Sequence, residues 1–317
     1  MGAKFDLARD RSSLHGIFPP ILTPLTTDEG IDAPSMRRLV NHLIVNGVHG
    51  LWVMGTTGEF PGFDERERAQ AVEAAIEAAA GRVPVIVNIG DCSTRLVVRH
   101  GQAALKAGAD AVAATPPYYY PNSQDELLDH FRAIREKVDL PLFIYNIPQT
   151  VKTKTDVGTA LKLAEEGTVI GIKDSQNDLD WFRQVTVGAR ARGLDFRCFL
   201  GTRFLIDAAV TIGGSGAIPS MANVAPRACV AAYEAARRGD WAEAARQQER
   251  VMQVERISRV MHGGCANAAL FSAMKTILVK QGVIASNMVS APLRQLSPAE
   301  IEALDQVVQD LELGQGA

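Results

Sequence analysis

Val169-Ile-Gly-Ile-Lys-Asp-Ser175 reads as a short buried strand that ends on a lysine. Side chains on a strand alternate, so Val169, Gly171 and Lys173 share one face and Ile170 and Ile172 the other. An ammonium group there is either a lysine that snorkels into solvent or a desolvated amine. Burial disfavours the charged form and lowers a lysine pKa by up to about 3–5 pH units, which yields a nucleophile near neutrality. The choice between the two rests on what the chain places beside it.

Seven more apolar runs surround this one: Gly16 to Leu22, Gly50 to Gly55, Pro84 to Ile89, Ala111 to Thr115, Pro141 to Tyr145, Phe196 to Leu200 and Gly216 to Ile218. Most intervals hold helical spacing, as in Glu65 to Ala80, Thr94 to Ala107, Glu126 to Val138 and Leu179 to Arg190. Strand alternating with helix means a parallel sheet. Eight such units suit a closed (β/α)8 TIM barrel, whereas an open doubly wound sheet usually stops sooner and would show Gly-x-Gly-x-x-Gly after its first strand. From about Ala225 the pattern is helical throughout, with Trp241 to Ile257, Ala268 to Lys280 and a helix after the N-cap Ser297. The expected organisation is an N-terminal extension over 1–13, a barrel over 14–236 and a C-terminal helical region over 237–317.

Composition narrows the function. The 317 residues are 47% hydrophobic and carry a formal net charge of −3, which gives no electrostatic case for nucleic acid or an anionic membrane. The expected partner is a small molecule. Cys92, Cys198, Cys229 and Cys265 are scattered, with no Cys-x-x-Cys pair and no His at zinc-ligand spacing, so neither a disulfide framework nor a metal is expected. A reducing cytoplasm fits. Met1 to Ser13 is charged and does not read as a signal peptide, Asp6 breaks the myristoylation pattern, and no window approaches a membrane span.

In such a barrel reactive groups sit where strands end. The second run ends in Gly55-Thr-Thr-Gly-Glu59, either a tight turn with capping threonines or a carboxylate grip made from hydroxyls and backbone N–H groups. The fourth leads into Thr115-Pro-Pro-Tyr-Tyr-Tyr-Pro121, a stiffened loop bearing three phenols, and the fifth delivers Tyr145. Gly213-Gly-Ser-Gly216, before the eighth, offers backbone N–H groups to a phosphate or carboxylate. Lys173 and Tyr145 fall on neighbouring strands and can share one mouth. A desolvated lysine condenses with a ketone to give an imine that stabilises a carbanion on the next carbon, and a tyrosine can carry the protons. Such chemistry requires no cofactor.

Gly55-Thr-Thr-Gly-Glu59, Tyr118-Tyr119, Tyr145-Asn-Ile-Pro148, Gly171-Ile-Lys-Asp174 and Gly214-Ser-Gly-Ala-Ile218, in this order, resemble the dihydrodipicolinate synthase/N-acetylneuraminate lyase family. The resemblance runs from Gly16 to about Ser297 and includes Ala291-Pro-Leu-Arg294. It implies a (β/α)8 barrel with a three-helix C-terminal region and a Schiff base between Lys173 and pyruvate or another 2-oxo acid. By the same resemblance Thr56 and Thr57 bind the pyruvate carboxylate, Tyr145 relays protons with Thr56 linking it to Tyr119, and Ile218 lines the pocket through its carbonyl. Tyr119 would enter a neighbouring subunit's site in a homotetramer.

One position departs from the synthase branch. Synthases of this family carry an arginine two residues after the Tyr-Asn-x-Pro proline, to hold the second substrate's carboxylate, and this chain has Thr150. Lys152 and Lys154 are close in sequence, but an ammonium lacks the planar fork that grips a carboxylate at two points. The neutral pair Gln149 and Thr150 suits hydroxyl groups. The expectation is therefore a class I lyase or dehydratase of a hydroxylated 2-oxo acid, its hydroxyls meeting Gln149, Thr150 and Ser215. The alternatives are dihydrodipicolinate synthase and a catalytically silent 2-oxo-acid-binding protein.

Overall fold

The computed structural model describes residues 5–313. Residues 1–4 of the expected extension and 314–317 of the expected helical region lie outside them. The strands are β1 (Gly16–Ile17), β2 (Leu51–Val53), β3 (Val85–Asn88), β4 (Ala111–Ala114), β5 (Leu142–Asn146), β6 (Gly171–Asp174), β7 (Arg197–Leu200) and β8 (Gly216–Ala217). All pair in parallel in the order β1-β8-β7-β6-β5-β4-β3-β2, and a bridge between Pro20 and Trp52 joins the two ends. This is the expected (β/α)8 barrel.

The helices that wrap it are α1 (Ala33–Val45), α2 (Glu65–Ala79), α3 (Thr94–Ala107), α4 (Gln124–Lys137), α5 (Pro148–Val151), α6 (Val157–Glu165), α7 (Leu179–Ala191), α8 (Ile206–Thr211) and α9 (Pro226–Arg237). Then come α10 (Trp241–Val254), α11 (Ala266–Lys280) and α12 (Pro298–Asp310). Their starts follow capping chemistry: Asp64, Ser123 and Ser297 each accept from the third helical N–H while Glu67, Glu126 and Glu300 reach back to them. The Ser123 box starts α4 at Gln124, two residues before the apolar spacing becomes visible. The long helix expected from Trp241 to Ile257 stops at Val254 and tightens into a 3-10 turn over Glu255–Arg259. No helix among the described residues is long and apolar enough to cross a membrane.

Strand alternation divides the core in two. Ile172, Leu142, Ile144, Leu200 and Ala217 face the helices, while Phe18, Trp52, Ile86, Phe143, Tyr145, Phe199 and Ile218 pack inside the barrel. The inner cluster extends beyond the strands. Leu7 and Leu14 belong to it, and the N–H of Phe5 donates to Asp110 at the start of β4, so the segment before β1 plugs the end of the barrel where the strands begin.

Candidate active site

Lys173 stands on the inner face of β6, flanked in register by Tyr145 on β5 and Phe199 on β7. It is only 2% exposed. Gly171, two residues earlier on the same face, leaves room for the Phe143 ring, since a Cβ there would lie 2.3 Å from it. Among the described residues no carboxylate comes within ion-pair distance of Lys173. The nearest compensation is aromatic, with the Nζ 4.1 Å from the Tyr145 ring centroid and 4.6 Å from that of Trp52. Desolvation therefore holds the amine well below the usual lysine range. The neighbouring Asp174 faces outward, where its carboxylate accepts from the Asn146 amide at 2.8 Å and burial raises its pKa to about 7.

Tyr145 brings its phenol to the same mouth. Its hydroxyl lies 3.1 Å from Thr56 Oγ1, and burial raises its pKa against the opposing hydrogen bonds of Thr56 and Ser175. Thr56 opens a 3-10 turn, Thr56–Gly58, separated from the end of β2 by two residues. Gly55 is required just before it because a Cβ would lie 2.9 Å from the Trp52 indole. Thr57 is buried beside Thr56, and Ile218 is buried just after β8. Lys173, Tyr145, Thr56, Gly55, Thr57 and Ile218 thus come from the ends of β2, β5, β6 and β8, with the Tyr145–Thr56 hydrogen bond joining two of those ends.

The other expected residues lie apart. Tyr119, in left-handed backbone with φ 89°, is 73% exposed and packs against Tyr120. Within this chain it makes no contact with Thr56 or Tyr145. Gln149 and Thr150 begin α5 and are exposed, and the Gln149 amide donates to the carbonyl of Ser175 at 2.7 Å. Lys154 pairs with Asp178 at 3.5 Å, while Lys152 is exposed. Ser215 does not reach the mouth. It shares the outward side of the pleat with Ala217, and its Oγ accepts from the N–H of Cys198, so the expectation that it meets substrate hydroxyls is corrected.

Two features went unread in the sequence. Trp52 lies beneath the amine, and its indole N–H is buried without an acceptor among the described residues; its alternation with Leu51 and Val53, which face the helices, places it on the inner face. Glu59 forms a buried ion pair with Lys275, whose signal is a lone charge inside the apolar stretch of α11.

A closed parallel barrel with this amine and phenol at its mouth is the scaffold of a class I aldolase-type lyase. The chain belongs to the dihydrodipicolinate synthetase family, whose model matches residues 13–311. It is 36% identical over 297 residues to a 4-hydroxy-tetrahydrodipicolinate synthase of Thermomicrobium roseum, covering 92% of each chain. It is 33% identical over 304 residues to an uncharacterized DapA-like lyase of Halobacterium salinarum, covering 96% of each. Among solved structures it resembles YagE, a prophage protein of this family from E. coli K12 in complex with pyruvate, with a TM-score of 0.87 and 29% identity over 94% of this chain and 99% of that one. The chain is accordingly an enzyme of the class I aldolase type.

Proposed function

We propose that the protein cleaves or dehydrates a hydroxylated 2-oxo acid through an imine on Lys173, releasing pyruvate when a carbon–carbon bond is broken. The supporting observation is a lysine buried on the barrel's inner face, without a carboxylate partner among the described residues and beside a tyrosine in register. The neutral amine attacks the C2 carbonyl, and loss of water leaves a protonated imine. In the cleavage reaction the C4 hydroxyl loses its proton and becomes a carbonyl, the C3–C4 bond breaks to release that carbonyl fragment, and the electron pair forms the C2=C3 bond of an enamine, neutralising the iminium nitrogen. Protonation at C3 and hydrolysis then release pyruvate and the free amine. Tyr145 carries these protons, Thr56 orients its hydroxyl, and Thr57 with the N–H groups after Gly55 holds the C1 carboxylate. The Ile218 carbonyl lines the pocket.

Thr150 and Gln149 favour hydroxyl groups on the remainder of the substrate, because neither supplies a charge and Lys154 is engaged by Asp178. The similarity to the Thermomicrobium roseum synthase favours a second reading, condensation of pyruvate with aspartate semialdehyde. Losing a charge-assisted contact to a buried carboxylate costs on the order of 2–5 kcal/mol, so such a synthase would be slow. We further propose a cytoplasmic homotetramer in which Tyr119 reaches a neighbouring subunit's site.

Incubation with pyruvate and borohydride, followed by mass measurement, tests the imine: an adduct is expected on the parent and none on Lys173→Ala. A screen of hydroxylated 2-oxo acids for pyruvate release tests the substrate class. Efficient condensation with aspartate semialdehyde, at kcat/KM above about 10⁴ M⁻¹s⁻¹, would select the synthase reading.

A further inference from the structure

Glu59 closes the loop that carries Thr56 and Thr57. Its backbone is left-handed, φ 58°, and it joins two successive 3-10 turns, Thr56–Gly58 and Phe60–Gly62. Its side chain is directed into the protein, away from the mouth. One carboxylate oxygen lies 2.6 Å from Lys275 Nζ, with the two side chains 1% and 0% exposed. The other accepts from the N–H of Ser290 at 2.7 Å and from its hydroxyl at 2.9 Å. Lys275 also donates to the carbonyl of Met288 at 2.6 Å. Every one of these partners belongs to α11 or to the segment between α11 and α12. On the opposite side of the loop, the Thr23 hydroxyl donates to the carbonyl of Gly58 at 2.7 Å.

Burying two charges costs several kcal/mol per ion, and apolar side chains of equal volume fill such space at no loss of stability. What a carboxylate ion-paired through one oxygen and hydrogen-bonded through the other supplies instead is direction, because its oxygens are held along a few lines. Here those lines run from the C-terminal helices to the residue three positions after Thr56, whose own hydroxyl meets Tyr145 at 3.1 Å.

We infer that Glu59 and Lys275 are positioning residues. From the C-terminal helical region, their ion pair sets where the Thr56 and Thr57 hydroxyls and N–H groups stand relative to Tyr145 and Lys173. The inference rests on the reading of this loop as the 2-oxo acid carboxylate site. Lys275→Met leaves the Glu59 carboxylate buried without its cation, held by the two Ser290 hydrogen bonds alone, so that it takes up a proton or draws the loop toward water. The Glu59→Gln, Lys275→Met double variant removes both charges, yet its amide oxygen still accepts from Ser290.

The experiment measures pyruvate KM, the rate of borohydride trapping at low pyruvate, and the melting temperature for the parent and both variants. Expected for Lys275→Met is a pyruvate KM raised about tenfold or more, with trapping slowed in proportion, as for lost substrate binding. The double variant should recover most of that loss. If Lys275→Met does not fold, the double variant is compared with Ser290→Ala, in which a KM raised severalfold is expected. A variant that melts earlier but keeps the parental KM and trapping rate overturns the inference, as does a double variant no better than the single one. No adduct on the parent overturns the imine reading and this inference with it; an adduct on the parent with unchanged variants overturns this inference alone.

Discussion

Replacing Tyr145 with phenylalanine removes one oxygen from the barrel mouth and leaves the ring that faces Lys173. The lost hydrogen bond to Thr56, 3.1 Å long, is worth about 0.5–1.5 kcal/mol of stability. Part of that is offset, because a buried phenol gives way to an apolar ring. For a chain of this size the melting temperature should therefore fall by only a few degrees. The kinetic effect is on another scale. A positioned proton carrier contributes about 10²–10⁴ in rate, equivalent to about 3–5 kcal/mol of barrier. Pyruvate KM should stay within a few-fold of the parent, since Thr57 and the loop N–H groups remain. The assay follows exchange of the pyruvate methyl protons for deuterium by NMR, a reaction that needs only the imine and the enamine, beside turnover and thermal melting. Exchange and turnover within twofold of the parent would refute the proton-relay role, whatever the melting temperature.

Lys173→Met is expected to melt higher than the parent at pH 7. A lysine pKa held below its ordinary 10.5 gives stability that is present above that value and lost as pH falls through the folded pKa, so the gain should vanish in melts near pH 11. Asp174 has the opposite sign: a carboxyl raised to about 7 favours folding fully below its ordinary 3.8, and that contribution is lost as pH rises through 7. Asp174→Asn should therefore gain stability relative to the parent above pH 7 and flatten the melting profile, and an unchanged profile would count against the assignment. Tyr119 and Tyr120, at 73% and 72% exposed, should be covered in solution, so sedimentation should show an assembly that Tyr119→Glu, Tyr120→Glu disrupts.

The eight apolar runs could be read because helical spacing separates most of them, and all eight strands fall within them except for Asn146, which ends β5 one residue beyond its run. Lys173 could be read because a charge at the end of such a run breaks the pattern. Ser215 could not, since β8 spans only Gly216–Ala217 and a run of glycines has no alternation to show which way a side chain faces. Lys275 was lost for a different reason. A lysine is an ordinary helix former, and only packing of the segment around Ser290 against α11 turns its position inward. Leu7 and Leu14 are isolated leucines in a charged stretch, with no period to report on burial.

Those two leucines bear on the reactive end of the barrel. They begin an apolar column that passes Ile86, Phe143 and Trp52 and finishes at Tyr145, with the Lys173 amine above it. The desolvation that holds that amine below the usual lysine range comes from the top of this cluster, where Trp52 and Tyr145 meet it, and the layers beneath keep those rings dry. A polar side chain in place of Leu14 is therefore expected to loosen the dry base on which Trp52 and Tyr145 stand, at a distance from the amine they shield.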